Sequence, residues 1–202
     1  MKEQTNVSKT FRIITLTFVF IGACTFLFGI ISDPKRTWAN YLIDNYYFLS
    51  LAMGGAFFLV IQNISQSGWS AAFKRVPEAM MAYIPFAAVF FLVIFFGLDD
   101  LYHWSHKEAV SSDPLLLHKS PFLNVPFFFA RMIIYFALWI LLTRILRKFS
   151  LKEDLSDPAN HDSIFLLFSK SELYSKIFIF VFAITFSLSA FDWIMSVDVH
   201  WY

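Results

Sequence analysis

Arg131 is the residue whose position most demands a chemical explanation, because it lies inside a long apolar stretch, Phe122 to Thr143. On a helix it would sit about 13 Å from the start of that stretch. A cation in apolar surroundings needs an acidic partner, and Asp192 lies at a comparable depth near the end of the last apolar stretch. The pair has two interpretations: an ion pair that only fixes helix packing, or a charged pair that lines a proton route.

A short segment combines carboxylates with imidazoles. Asp99, Asp100, His103 and His106 are spaced three and four residues apart, which on one helix would place potential metal ligands on a single face. The neighbouring aromatic residues instead favour a helix at the membrane surface, anchored by its rings and with its polar side in water. We therefore predict no metal site here.

The sequence contains no pattern of residues that would ligate a redox cofactor. All five histidines lie at or beyond the ends of the apolar stretches, whereas haem ligation in a bundle needs imidazoles that project into its core. Cys24 is the single cysteine, which excludes a disulfide within the chain and a Cys-rich iron–sulfur site. Its apolar neighbours predict a packed thiol. We expect no covalently bound cofactor and no redox centre in the chain itself.

The composition shows what must position these residues. Hydrophobic residues make up 58% of the 202 residues and charged ones only 15%, with 27 Phe. This excess of apolar side chains indicates surfaces that face lipid. Lys and Arg lie in short loops and form no basic patch, which excludes a nucleic-acid-binding protein. The sequence predicts an all-α integral membrane protein.

Five apolar stretches are long enough to cross about 30 Å of hydrocarbon. They predict a helical bundle of about five transmembrane helices, at Ile13–Ile31, Leu42–Ile61, Ala79–Leu98, Phe122–Thr143 and Ile177–Val197. Most of the 16 Lys and Arg fall in alternate connecting segments, which places the N-terminus in the cytoplasm. The predicted organisation is a cytoplasmic N-terminus (1–12), helices 1–4 (13–148), a cytoplasmic connector (149–176), and helix 5 with the start of an outer loop (177–202).

This topology gathers acidic residues on the outer side of the membrane. Such carboxylates could receive protons released at a membrane-embedded site. The plainer alternative is that acids remain where the charge bias has removed basic residues. The residues concerned are Asp33, Asp44, Asp99, Asp100, Glu108, Asp113, Asp192 and Asp198.

Small residues recur on the second predicted helix. Ser50 with Gly54, and Ala52 with Ala56, are spaced by four residues, so one side of this helix has little side-chain bulk. Such a surface predicts the close approach of another helix, unless the helix merely tolerates small residues.

Two stretches, LYHWSHKEAVSSDPLLLHKSPFLNVPFFFAR from Leu101 to Arg131 and FDWIMSVDVHWY from Phe191 to Tyr202, carry a family resemblance. They resemble the ActF membrane subunit of bacterial alternative complex III, which is similar to the NrfD and polysulfide reductase C proteins. Supporting similarity runs from Arg36 to Met80. The resemblance implies two four-helix bundles plus extra helices in a longer protein, so we expect this chain to be the N-terminal half, truncated at Tyr202. Val199 departs from the family pattern, which usually has Pro there.

The resemblance also implies a role in a respiratory quinol:cytochrome c oxidoreductase of the bacterial inner (cytoplasmic) membrane. Quinol (menaquinone or ubiquinone) would be the substrate of the complex. The expected partners are the lipid bilayer, a homologous quinol-binding membrane subunit, an iron–sulfur subunit and haem c subunits. This chain would serve as a scaffold and proton route. Matching motif positions make Arg131, Asp192, Asp198 and His200 the candidate proton-route or buried-charge residues, with Trp104 and His106 weaker cofactor-binding candidates.

Two rival functions stay open. A secondary transporter would favour broken helices and a polar site near the middle of the membrane. A purely structural assembly subunit would make every polar residue inside the membrane replaceable.

Overall fold

The computed structural model describes residues 8–157 and 160–201, and within these ranges it contains helices and no strand. The α-helices are α1 (Lys9–Ser32), α2 (Pro34–Ile64), α3 (Arg75–Met81), α4 (Ile84–Val93), α5 (Leu98–Leu101), α6 (Lys107–Ser112), α7 (Pro114–Lys119), α8 (Val125–Asp154) and α9 (His161–Trp193). Short 3-10 turns connect some of these helices, at Gly68–Phe73, Ile94–Gly97 and His103–Ser105, and two more follow α9, at Met195–Val197 and Val199–Trp201.

The predicted all-α fold with five long apolar segments is confirmed. Length and composition allow five segments of the described chain to cross a membrane: Lys9–Ser32, Pro34–Ile64, Arg75–Leu101, Val125–Asp154 and His161–Val197. Each is longer than the apolar stretch that predicted it. The extra turns at their ends carry most of the charged residues of these segments, as expected for helices that continue past an apolar layer.

The bundle core lies between α2, α3–α4, α8 and α9, whereas α1 stands at the edge. No residue of α1 is buried, and its side chains meet the rest of the chain mainly where Phe26 packs on Trp38 and Tyr41 of α2. Cys24 is exposed on α1, so the prediction of a packed thiol is wrong. A helix this apolar with no buried residue needs lipid or another chain around it.

The small residues of α2 allow close packing against α3, but only part of the predicted surface takes part. Ala52 and Ala56 are buried, and a Cβ on Gly55 would lie 2.8 Å from the Cβ of Met80. Around Gly54, by contrast, a Cβ would meet nothing within 4 Å. Within the described chain, no helix packs on the predicted surface at Gly54, because α3 lies against the Gly55 side of α2.

The third apolar segment is interrupted, unlike the single helix predicted over Ala79–Leu98. α3 ends at Met81 and α4 begins at Ile84, with Pro85 in its first turn. Proline lacks a backbone N–H and so cannot continue the hydrogen-bond ladder from the preceding turn. Further on, Gly97 lies so close to Trp38 of α2 that an added Cβ would come within 2.0 Å of its ring.

The connector before the last helix is shorter than the 149–176 segment predicted from its polarity. α8 continues to Asp154, where Lys74 binds it with an Nζ–Oδ1 distance of 2.9 Å. α9 begins at His161, and the Asn160 side chain accepts a hydrogen bond from the Ser163 N–H at 3.1 Å. Helix capping and ion pairs thus keep these polar turns helical. A search for apolar stretches cannot predict such turns.

Candidate functional site

The most strongly built polar site lies where the first turns of α8 face the last turns of α9. On α8 the buried positions recur every three to four residues, which aims Arg131 and Tyr135 at the same neighbour. On α9, Asp192 and Trp193 are buried in the last turn before the helix ends. The two helices therefore bring together residues that are far apart in sequence.

Arg131 and Asp192 form a bidentate ion pair. Arg131 Nε donates to Asp192 Oδ2 at 2.8 Å, and Arg131 Nη2 donates to Asp192 Oδ1 at 2.7 Å. Arg131 is 7% exposed and Asp192 is 0% exposed. The structure thus brings together the two residues that the sequence predicts as partners. Two parallel charge-assisted hydrogen bonds in a dry site also fix the relative orientation of the helices.

Further contacts complete the surroundings of this pair. Arg131 Nη1 donates to the Phe122 carbonyl oxygen at 2.9 Å. The guanidinium carbon lies 3.8 Å from the ring centroid of Phe122 and 4.3 Å from that of Phe127. The Tyr135 hydroxyl donates to Asp192 Oδ2 at 2.9 Å. Hydrogen-bond donors and ring faces therefore replace the water that each charge gives up on burial.

A second set of contacts ties the segment after α5 to the end of α9. The Tyr102 hydroxyl donates to the Trp193 carbonyl oxygen at 2.9 Å, and Trp104 Nε1 donates to the Ser196 carbonyl oxygen at 3.2 Å. The Ser196 hydroxyl in turn donates to the Asp192 carbonyl oxygen. Burial raises the pKa of the Tyr102 phenol, so it stays a protonated donor.

These contacts correct the prediction of a surface helix over Asp99–His106. α5 ends at Leu101, and Tyr102 has an extended backbone conformation. Tyr102 and Trp104 are 0% and 3% exposed, so their rings belong to the core and cannot anchor a helix at a membrane surface. Trp104 packs between Tyr102 and Phe128, with ring centroids 5.1 and 5.3 Å away. It offers no open ring face to a cofactor.

An open cleft of about 420 Å³ lies at the same end of the bundle. Its titratable and charged lining residues are Lys35, Asp99, Asp100, His103, His106, Asp198 and His200. His106 Nε2 lies 2.9 Å from the Asp99 carbonyl oxygen, which holds this imidazole at the wall of the cleft. The candidate residues Asp198, His200 and His106 thus share one water-accessible space.

The segment after α9 is anchored to α7. His200 Nε2 lies 3.0 Å from Asp113 Oδ2, and the His200 N–H donates to Asp198 Oδ1 at 3.2 Å. Lys119 Nζ donates to the Val199 carbonyl oxygen at 2.9 Å, and the Val199 side chain is buried. Val199 therefore fills a packed position where the resembling family usually has proline.

The predicted group of outer acids divides into separate roles. Asp99, Asp100 and Asp198 line the cleft, whereas Asp192 is sealed in its ion pair. Asp33 and Asp113 accept hydrogen bonds from backbone N–H groups at the starts of α2 and α7. Asp44 lines a groove between α1 and α2, and Glu108 is exposed in α6. Among the described residues, no group of three or more His, Cys, Asp or Glu is placed to hold a metal ion.

An aromatic layer separates this site from the opposite end of the bundle. The ring of Trp193 lies with its centroid 4.4 Å from that of Phe91 and 5.6 Å from that of Phe136. Trp139 Nε1 donates to Thr185 Oγ1 at 2.8 Å on the far side of this layer. Sequence reasoning missed Tyr135 and Trp193. For Tyr135, the available signal was its spacing of four residues from Arg131 and from Trp139.

No family model matches the chain, and no curated protein matches it significantly. The family resemblance therefore rests on the quoted sequence motifs.

Proposed function

We propose that the chain is a membrane subunit of a respiratory quinol:electron-acceptor oxidoreductase of the alternative complex III type. Quinol, as menaquinone or ubiquinone, is the substrate of the whole complex, and cytochrome c is its acceptor. The chain lies in the bacterial inner membrane with its N-terminus in the cytoplasm. It acts as a scaffold for the quinol-binding, iron–sulfur and haem c subunits, and its outer cleft receives protons.

One observation carries this proposal. The two motifs that bear the family resemblance pack against each other, although Arg131 and Asp192 are 61 positions apart. Besides this ion pair, Tyr102 binds the Trp193 carbonyl, Trp104 binds that of Ser196, and Lys119 binds that of Val199. The residues of the two motifs thus form one structural unit. This packing supports a shared role for the motifs and argues against two unrelated similarities.

The geometry supports different tasks for the two groups of candidate residues. The Asp192 carboxylate accepts hydrogen bonds from Arg131 and Tyr135 and has no exposed surface, so it is held as a charged structural group. Proton exchange with water needs accessible acids and imidazoles. Asp198 and His200 meet that need in the cleft. We therefore assign packing to the buried pair and proton release to the cleft.

The geometry does not favour the secondary transporter. Transporter sites use unwound segments in the middle of broken helices. Here the interruption between α3 and α4 involves Ala82 and Tyr83, both with right-handed helical backbone angles. Pro85 accounts for the missing hydrogen bond. This interruption therefore provides no unwound site for a substrate.

Purification from membranes in mild detergent tests the proposal. A tagged chain should bring down proteins that show haem c absorption and iron–sulfur electron paramagnetic resonance signals, together with quinol oxidation. An untagged strain treated identically is the control. Recovery of the chain without any redox protein, from cells whose membranes oxidise quinol, would contradict the assignment.

A further inference from the structure

A second charged region lies at the opposite end of the bundle from Arg131 and Asp192. There, a groove of about 270 Å³ runs between α8 and the junction of α3 with α4. Its residues combine one carboxylate and two guanidinium groups with an apolar wall: Glu78, Met81, Ala82, Pro85, Thr143, Arg144 and Arg147.

One carboxylate oxygen of Glu78 lacks a hydrogen-bond donor among the described residues. The residue is 2% exposed, and its Oε2 accepts from Arg75 Nη1. Its Oε1 is buried and has no hydrogen-bond partner in the described part of the chain. A buried carboxylate oxygen without a donor is costly and calls for an external group.

Arg144 and Arg147 are exposed and lie three residues apart on α8, so they are neighbours on one face. Within residues 8–157 and 160–201, neither forms an ion pair. The other cations nearby are already matched, since Lys74 contacts Glu153 and Asp154, and Arg75 contacts Glu78 and Asp154. The groove therefore offers two cations for an anion.

Glu78 also borders a second cleft. The polar side chains of that cleft already form hydrogen bonds or ion pairs with other residues of the chain. Asn63 there binds Ser171 and Ser175, and Ser67 binds Gln62. Its lysine, Lys74, is held by acids of α8. The groove is thus the place where two guanidinium groups without an ion-pair partner in the described chain meet a carboxylate whose Oε1 lacks a hydrogen-bond donor there.

We propose that this groove binds a phosphoethanolamine group, as the headgroup of a membrane phospholipid. The phosphate lies against Arg144 and Arg147, and the primary ammonium enters beside Glu78, whose Oε1 turns toward the groove to accept its N–H. The acyl chains follow the apolar wall of Met81, Ala82 and Pro85. Basic pockets between membrane helices commonly hold lipid headgroups, and here the carboxylate adds selectivity for an ammonium with N–H donors. The quaternary ammonium of choline has no N–H to offer. This proposal holds whether or not the chain belongs to a respiratory complex.

Lipid binding to the delipidated full chain in detergent provides the test. Phosphatidylethanolamine, phosphatidylcholine and phosphatidylglycerol are titrated separately, and native mass spectrometry counts bound lipid. Phosphatidylethanolamine should bind most tightly. Glu78→Gln should remove its advantage over phosphatidylcholine. Arg144→Gln with Arg147→Gln should weaken both lipids about tenfold or more, since two charge-assisted hydrogen bonds are lost.

Lys148→Gln is the matched control, because Lys148 is exposed on the same turn of α8 and does not line the groove. It should bind lipid like the unmodified chain. If Glu78→Gln does not fold, the exposed arginine pair still decides the phosphate contact, and the comparison of lipids on the unmodified chain decides the ammonium contact. Equal binding of the three lipids would overturn the proposal. So would free phosphoethanolamine that competes as strongly as the lipid, since the apolar wall would then contribute nothing.

Discussion

The guanidinium of Arg131 and the carboxylate of Asp192 face each other through two hydrogen bonds of 2.8 and 2.7 Å. This contact joins α8 to α9 and closes the end of the bundle where both resemblance motifs meet. Because both groups are buried, the loss of one leaves the other without a partner in a medium of low dielectric constant. The pair is therefore a point at which assembly is sensitive to single substitutions.

Tyr135→Phe should lower the stability of the fold and leave the ion pair of Arg131 and Asp192 in place. The substitution removes the hydroxyl that donates to Asp192 Oδ2 at 2.9 Å, and Arg131 still holds both carboxylate oxygens. We expect a loss of about 1.5–3 kcal/mol, the range for a hydrogen bond to a charged group. Thermal unfolding of the purified chain in detergent measures it. Tyr47→Phe, on an exposed position of α2, is the control, and an equal effect of both substitutions would contradict the assigned contact.

Gly97→Ala should destabilise the fold far more than Gly54→Ala. A Cβ at position 97 would lie 2.0 Å from the Trp38 ring, whereas one at position 54 meets nothing within 4 Å. Trp38 is 4% exposed and has little room to move. We expect a cost of about 1–3 kcal/mol, typical of overpacking, for the first substitution and a neutral or slightly stabilising effect for the second. Comparable melting temperatures for both variants would show that the α2 contact is absent.

The topology can be tested with a reporter that is active only outside the membrane. Fused after Asp113 it should be active, and fused after Asp157 it should be inactive, because Lys and Arg concentrate in the segments predicted to be cytoplasmic. A cytoplasm-specific reporter at the same two positions is the control. The opposite pattern would move the cleft with Asp198 and His200 to the cytoplasmic side and remove it from proton release.

The sequence predicts the outline of the site because a charge in an apolar stretch has few acceptable environments. That constraint was enough to pair Arg131 with Asp192. The sequence does not predict a role for Tyr135, because a tyrosine among apolar residues is ordinary and only its distance from Asp192 reveals the hydrogen bond. Tyr102 and Trp104 were expected at a surface, because their burial depends on the end of α9 folding over them.

The same limit applies to the helices. Length and hydropathy identify five apolar segments, since crossing a bilayer requires both. Which side of α2 meets α3 depends instead on the position of a neighbouring helix. Spacing alone therefore selects Ser50 with Gly54 as readily as Ala52 with Ala56, although only the second pair is buried and Gly55 makes the close contact. An apolar pattern likewise does not predict the polar ends of α8 and α9, because an ion pair and a helix cap stabilise these turns.

The most direct test of the central claim is quinol oxidation by the purified assembly carrying Arg131→Met, Asp192→Leu, or both. Either substitution alone leaves a buried charge unpaired, which typically costs about 3–5 kcal/mol, so assembly yield and turnover should both fall. If the pair fixes packing within a quinol-oxidising complex, the double variant should regain both, because an apolar pair can replace a buried ion pair with little loss. Single variants that assemble and turn over normally, or a double variant that assembles fully and oxidises quinol slowly, would contradict this account.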